Sequence, residues 1–187
     1  MNNYPEFALV NEHKYKINTD FSIALKCNNV AEDITISNEE RALAIIYLLF
    51  GDEGLNNSQD WNDLIQIGLK YLRCNKEQKE SKEEANMSFE QDWGYIQASF
   101  FSDYNIDLSK MKMHWWQFYD LLCGLTDKCV LNRVRFVRDF DISQIKNNKE
   151  REKWIEQKEQ VALKKERQKT YEEKRLDELF EKQLRKE

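Results

Sequence analysis

The sequence predicts a mainly α fold: a compact helical domain with a small N-terminal β-hairpin and a long charged C-terminal helix. Three observations predict it. There is a single proline, Pro5, and there are five glycines in 187 residues, so little interrupts the hydrogen-bond ladder of a helix. Apolar residues recur at helical spacing, as Trp93, Ile96 and Phe100 do. Charge is unevenly divided: residues 143–187 hold 14 Lys and Arg against 11 Asp and Glu, a net of +3, and residues 1–142 hold 15 against 23, a net of −8. The division predicts a helical body with its hairpin at 1–142 and a charged helical extension at 143–187.

Phe7 to Ile17 alternates loosely, with Phe7 and Leu9, then Tyr15 and Ile17, about Asn11-Glu12-His13. That reads as a short hairpin, which must pack on the helices because a two-stranded ribbon is marginal alone. Thr19 or Asp20 can cap a helix through Phe21, Ala24 and Leu25. Ser37-Asn38-Glu39-Glu40 is a capping box opening an apolar helix, Ala42 to Phe50, that should stop at Gly51. Residues 51–57 read as loop. Ser58 then caps a helix with Trp61, Leu64, Ile65, Leu69 and Leu72 on one face. Asn75 to Asn86, NKEQKESKEEAN, is a charged insert that reads as solvated surface.

Ser88 to Leu125 packs in ten aromatic residues. Ser88 caps a first aromatic helix, and Asp107 or Ser109 opens a second with Trp115, Phe118, Leu122 and Leu125 on one face. The polar break between them predicts an antiparallel helical hairpin at the centre of the core. Trp115 and Trp116 lie about 100° apart on a helix, so one of them is expected at the rim. Thr126 or Asp127 caps a further helix carrying Val130, Leu131, Val134 and Val137. A helix from Lys149 onward would be roughly 58 Å long at about 1.5 Å per residue. It should project or dock on another chain, and its apolar stripe does not hold heptad register. Leu176, Leu179, Phe180 and Leu184 form the stripe best suited to a groove in a partner, with Trp116 as a second candidate contact.

The residues point to no catalytic, cofactor or metal site. The carboxylate pairs, such as Glu39 with Glu40 and Glu172 with Glu173, lie in polar surroundings, whereas acid–base catalysis needs environments that push paired pKa values apart. Cys27, Cys74, Cys123 and Cys129 match no zinc or redox spacing. Cys27 and Cys123 read as core filler. His114 has no local partner. There is no glycine-rich phosphate loop and no nucleophile elbow. Arg133, Arg135 and Arg138 share a helix with Lys128, but apolar residues fill the same segment, so they read as ion pairs or a protein contact. An acidic body argues against nucleic acid as a partner. No apolar run approaches the roughly 20 residues that span a bilayer. MNNYPEFALV lacks the features of a signal peptide. The expected location is the cytoplasm.

Four segments carry a family resemblance: YKINTDF, SFEQDWGYIQASFFSDYNIDL, HWWQFYDLLCGL and RFVRDFDISQIKNNKEREKW. Their order and spacing resemble the bacteriophage gene-product-fifteen family of tailed phages of Gram-positive bacteria. The likeness spans Phe7 to Leu163, and the middle, Asn28 to Glu84, matches in general helical pattern. The segment after Leu163 looks like an extension. The resemblance implies a gene position between the major tail protein and the tape-measure protein, and no enzymatic activity. It further implies a tail assembly chaperone in the host bacterial cytoplasm, binding tape-measure and tail-tube proteins and also itself. A structural tail completion or connector protein, and a small phage-encoded regulator or inhibitor of a host protein, stand as alternatives.

Overall fold

Two antiparallel strands, β1 (Phe7–Val10) and β2 (His13–Lys16), meet at a two-residue turn. The computed structural model that shows them describes residues 4–77, 85–164 and 168–184, with side chains as far as Leu179. Asn11 and Glu12 both take positive φ, 47° and 67°, as a type I′ turn requires. Pairing of Ala8 with Tyr15 sets the register. Ala8, Val10, Tyr15 and Ile17 are buried, and Phe7 and Leu9 face outward, so Phe7 and Leu9 do not share the inner face with Tyr15. Register decides this, because alternate residues of a strand point to opposite faces. The Phe7 ring is covered from outside by the Lys14 ammonium, 3.8 Å from its centroid.

The fold is mainly α. Among the described residues there are eight α-helices and this one small sheet. The chain divides into two compact units, one of residues 1–78, 113–116 and 166–187, the other of 79–112 and 117–165. The compositional boundary between 142 and 143 falls inside the second unit.

The first unit holds the hairpin, α1 (Phe21–Glu32), α2 (Asn38–Asn56), α3 (Trp61–Leu72) and α8 (Tyr171–Leu184). Asp20 caps α1 by accepting from the Ser22 amide at 2.9 Å. Ser37 and Glu40 form the expected reciprocal box at the start of α2. The helix does not end at Gly51. It kinks there, with φ 67° and ψ −160°, and resumes for a further turn. Gly54 in that turn lies where a Cβ would come within 2.7 Å of the Phe50 Cβ, so the resumed helix packs back on its own preceding turn. Ser58 begins a 3₁₀ turn, Ser58–Asp60, and does not cap α3. Residues 113–116 pair with the start of α1: Phe21 donates to the Met113 carbonyl (2.9 Å) and Trp115 to that of Thr19 (2.7 Å).

The second unit holds α4 (Trp93–Tyr104), residues 117–123 of α5 (Trp115–Cys123), α6 (Val130–Asp139) and α7 (Asn148–Val161). Phe100 stacks on Phe118 at 5.1 Å and 11°, and the Tyr104 hydroxyl donates to the Leu121 carbonyl. The aromatic block is thus divided between the units, with Trp115 and Trp116 in the first and Phe100 and Phe118 in the second. The second aromatic helix opens at Trp115 because Asp107 is used in a turn with Ser109. Thr126 does not cap α6. Its amide and hydroxyl both donate to Asp103 (2.8 and 2.9 Å), and the Cys129 sulfur takes the cap. Cys27 is buried as expected, but Cys123 is exposed.

The long C-terminal helix is two helices. α7 ends at Val161 with Ala162 in extended geometry. α8 starts afresh behind Thr170, whose amide donates to Glu173 (2.9 Å) while its hydroxyl accepts from the Glu173 amide (3.2 Å). This is a second capping box, at the place where the apolar stripe fades. Of the charged insert, residues 78–84 lie outside the described residues.

Candidate partner-binding surface

The candidate surface begins with α8. Its first turn is anchored by the Tyr171 amide, which donates to the Ile34 carbonyl at 2.8 Å. A cleft of about 490 Å³ lies there, lined among others by Ile36, Arg41, Thr170 and Arg175. Beyond this anchor the helix presents apolar side chains to solvent. Leu176 is 65% exposed and Leu179 50%. The side chains of Phe180 and Leu184 lie outside the described residues, though both positions belong to α8. An exposed ion pair, Lys169 with Asp177 at 2.7 Å, spans the helix start.

Trp116 sits elsewhere in the same unit. It is half-buried, and its indole donates to the Tyr71 carbonyl at 2.9 Å. The ring stacks on Tyr71 (6.0 Å, 28°) and meets Tyr4 edge-on (6.4 Å, 70°). Trp115 is fully buried and donates to the Leu72 carbonyl. His114 organises this corner. Its Nδ1 accepts from the Trp116 amide (3.0 Å), so Nε2 carries the hydrogen and donates to the Pro5 carbonyl (3.1 Å). Trp116 is therefore held by its own framework, and its ring partners include no α8 residue.

In the second unit Arg138 ends as an ion pair. Its guanidinium makes a two-pronged contact with Asp92, both bonds at 2.7 Å, and Asp92 is 1% exposed. The same head donates to the carbonyls of Asn86 (2.9 Å) and Val161 (2.6 Å). Asp92 also accepts from the Ser88 amide, which is why it makes no side-chain cap on α4.

A surface the sequence reading passed over lies at the end of α3. Lys70, Arg73 and Lys76, with Gln66, Ile67 and Leu69, line a cleft of about 340 Å³. The signal for it was the i, i+3, i+6 spacing of the three cations in a body otherwise acidic.

Among the described residues no three His, Cys, Asp or Glu side chains stand close enough to hold a metal ion. No described helix is long and apolar enough to cross a membrane. Comparison with curated proteins and with solved structures gives no match. The family model described as the bacteriophage Gp15 protein matches residues 5–163. The match runs from before β1 to just past α7 and leaves α8 beyond its end. With most of its length inside that span, the chain belongs to the bacteriophage Gp15 protein family.

Proposed function

We propose that this bacteriophage protein is a non-enzymatic tail assembly chaperone, acting in the host cytoplasm on tape-measure and tail-tube proteins. It works by holding and ordering its partners, with α8 as the holding element. The observation that carries the reading is the exposure of Leu176 and Leu179 on a helix anchored at its first turn. A leucine moved from water into a partner's groove contributes about 1.5–3 kcal/mol, and apolar anchors at helical spacing suit helix-in-groove recognition. Family membership supplies the phage setting. The tail partners follow from the resemblance of the four sequence segments.

Co-expression with the tape-measure and tail-tube proteins, followed by pull-down at low and moderate salt, tests this. At least one should be retained, and a Leu176→Gln/Leu179→Gln variant should lose it. Retention of neither by the wild-type chain overturns the proposal. Mass spectrometry of purified particles checks the transient role, because a chaperone is absent from mature virions and a structural tail protein is present.

A further inference from the structure

The cleft at the end of α3 is a local reversal of charge. The chain as a whole carries a net charge of −5, yet Lys70, Arg73 and Lys76 are all exposed around it. Its floor is partly apolar, from half-buried Ile67 and Leu69. No α8 residue lines it, so the chain's own α8 does not fill it. A site of this make-up fits a helix with apolar anchors and acidic flanks.

α8 has that composition. Helical spacing puts Glu172 four residues before Leu176, and Glu173 three residues before it, on the same face. Asp177 follows Glu173 at i+4 and borders the stripe on that side. Arg175 lies across the stripe, and Lys174 on the far side of the helix. Glu173 is engaged in its cap with Thr170 and Asp177 in its pair with Lys169, which leaves Glu172 as the acid with no such engagement.

We propose that two copies of this chain associate head to tail, α8 of one copy seating Leu176 and Leu179 over Ile67 and Leu69 of the next, with Glu172 and Asp177 facing Lys70 and Arg73. The inference rests on the α8 stripe being the binding face argued above and names its occupant between tail partners. Because the two surfaces differ, the contact is heterologous. It leaves a free cleft at one end and a free α8 at the other, so it extends into rings or open chains and does not stop at a dimer. Charged rims also make such a contact salt-sensitive.

The test uses the full chain and two variants of exposed residues, Lys70→Glu/Arg73→Glu and Leu176→Gln/Leu179→Gln. Sedimentation velocity across protein concentration should show wild type growing beyond a dimer at low salt and dissociating as salt rises. Each variant alone should be monomeric. Mixed one to one, they should form a heterodimer and nothing larger, since one variant keeps an intact α8 and the other an intact cleft. Adding Glu172→Lys/Asp177→Lys to the cleft variant should restore self-association. A wild type that stays monomeric, a cleft variant that associates like wild type, or a mixture that yields no heterodimer each overturns the proposal. The pull-down separates the two readings. If the leucine variant loses tail proteins while the cleft variant's self-association is unchanged, the head-to-tail contact is wrong and the chaperone reading stands.

Discussion

Two tyrosines show how one hydroxyl can act in opposite directions. Tyr15 is fully buried and its hydroxyl donates to the Asp60 carboxylate at 2.5 Å. The same carboxylate takes the Asn11 side-chain amide at 2.8 Å, so the hairpin turn, strand β2 and the entry to α3 converge on one aspartate. Tyr71 is equally buried, but its hydroxyl finds no hydrogen-bond partner among the described residues. Its ring carries the packing, stacking on Trp116 and meeting His114 edge-on at 6.0 Å. A buried polar group without a partner costs about 1–3 kcal/mol. Tyr71→Phe keeps the ring and removes that cost, so it should raise unfolding stability by about 1 kcal/mol, read as a higher urea midpoint. Tyr15→Phe should lower it, since it strips Asp60 of its nearest donor. A Tyr71→Phe variant less stable than wild type would mean that the hydroxyl has a partner after all.

Elements in the second unit are held by Arg138 more than by any cap. From the last turn of α6 its guanidinium reaches the carbonyl of Asn86 before α4, Asp92 at the start of α4 and the carbonyl that ends α7. Removing one partner of a buried, two-pronged ion pair strands the other charge, at about 3–5 kcal/mol. Arg138→Met should therefore cost about that much, and Asp92→Asn in the same chain should recover part of it. A double variant no better than the single one would assign the loss to the two carbonyl contacts. Sequence made some of this legible and some not. The Ser37–Glu40 box and the Asp20 cap were readable because cap and helix are neighbours in sequence. The Thr170–Glu173 box was equally local, but it sat inside a charged run read as one long helix. Asp92, Asp60 and His114 could not be read this way, because each serves a group that lies far off along the chain. Asp92 is tied to a residue 46 positions away and Asp60 to one 45 away.

At the scale of the molecule, periodicity predicted a mainly α chain correctly but not its division into two units. Residues 113–116 join the first unit through backbone bonds to Thr19 and Phe21, and no apolar pattern announces a pairing between such distant segments. Charge gave the binding candidates only in outline: the α8 stripe is visible in composition, but the anchor at Ile34 is not. The ionised carboxylates do permit a prediction for the whole chain. The Tyr15 hydroxyl, then the Asn11 amide, hold Asp60 below the usual carboxylate range. The Ser37 backbone amide does the same for Glu40, and the Thr126 amide for Asp103. Lys110, then Ser109, bring Asp107 down to about 2. In every case the folded value is depressed, so the unfolded chain binds protons first as pH falls. The stability these groups contribute is fully present above the ordinary carboxylate range, about pH 4, and is lost as pH drops through the folded values. The urea midpoint should accordingly hold steady from about pH 6 to 5 and fall steeply from about pH 4 to 2. Asp60→Asn should start lower at neutral pH and fall less steeply in acid. Tyr15→Phe, which removes the main cause of the Asp60 shift, should flatten the acid limb in the same way. If both variants keep the wild-type slope between pH 4 and 2, the carboxylate under the hairpin is not what links folding to acid.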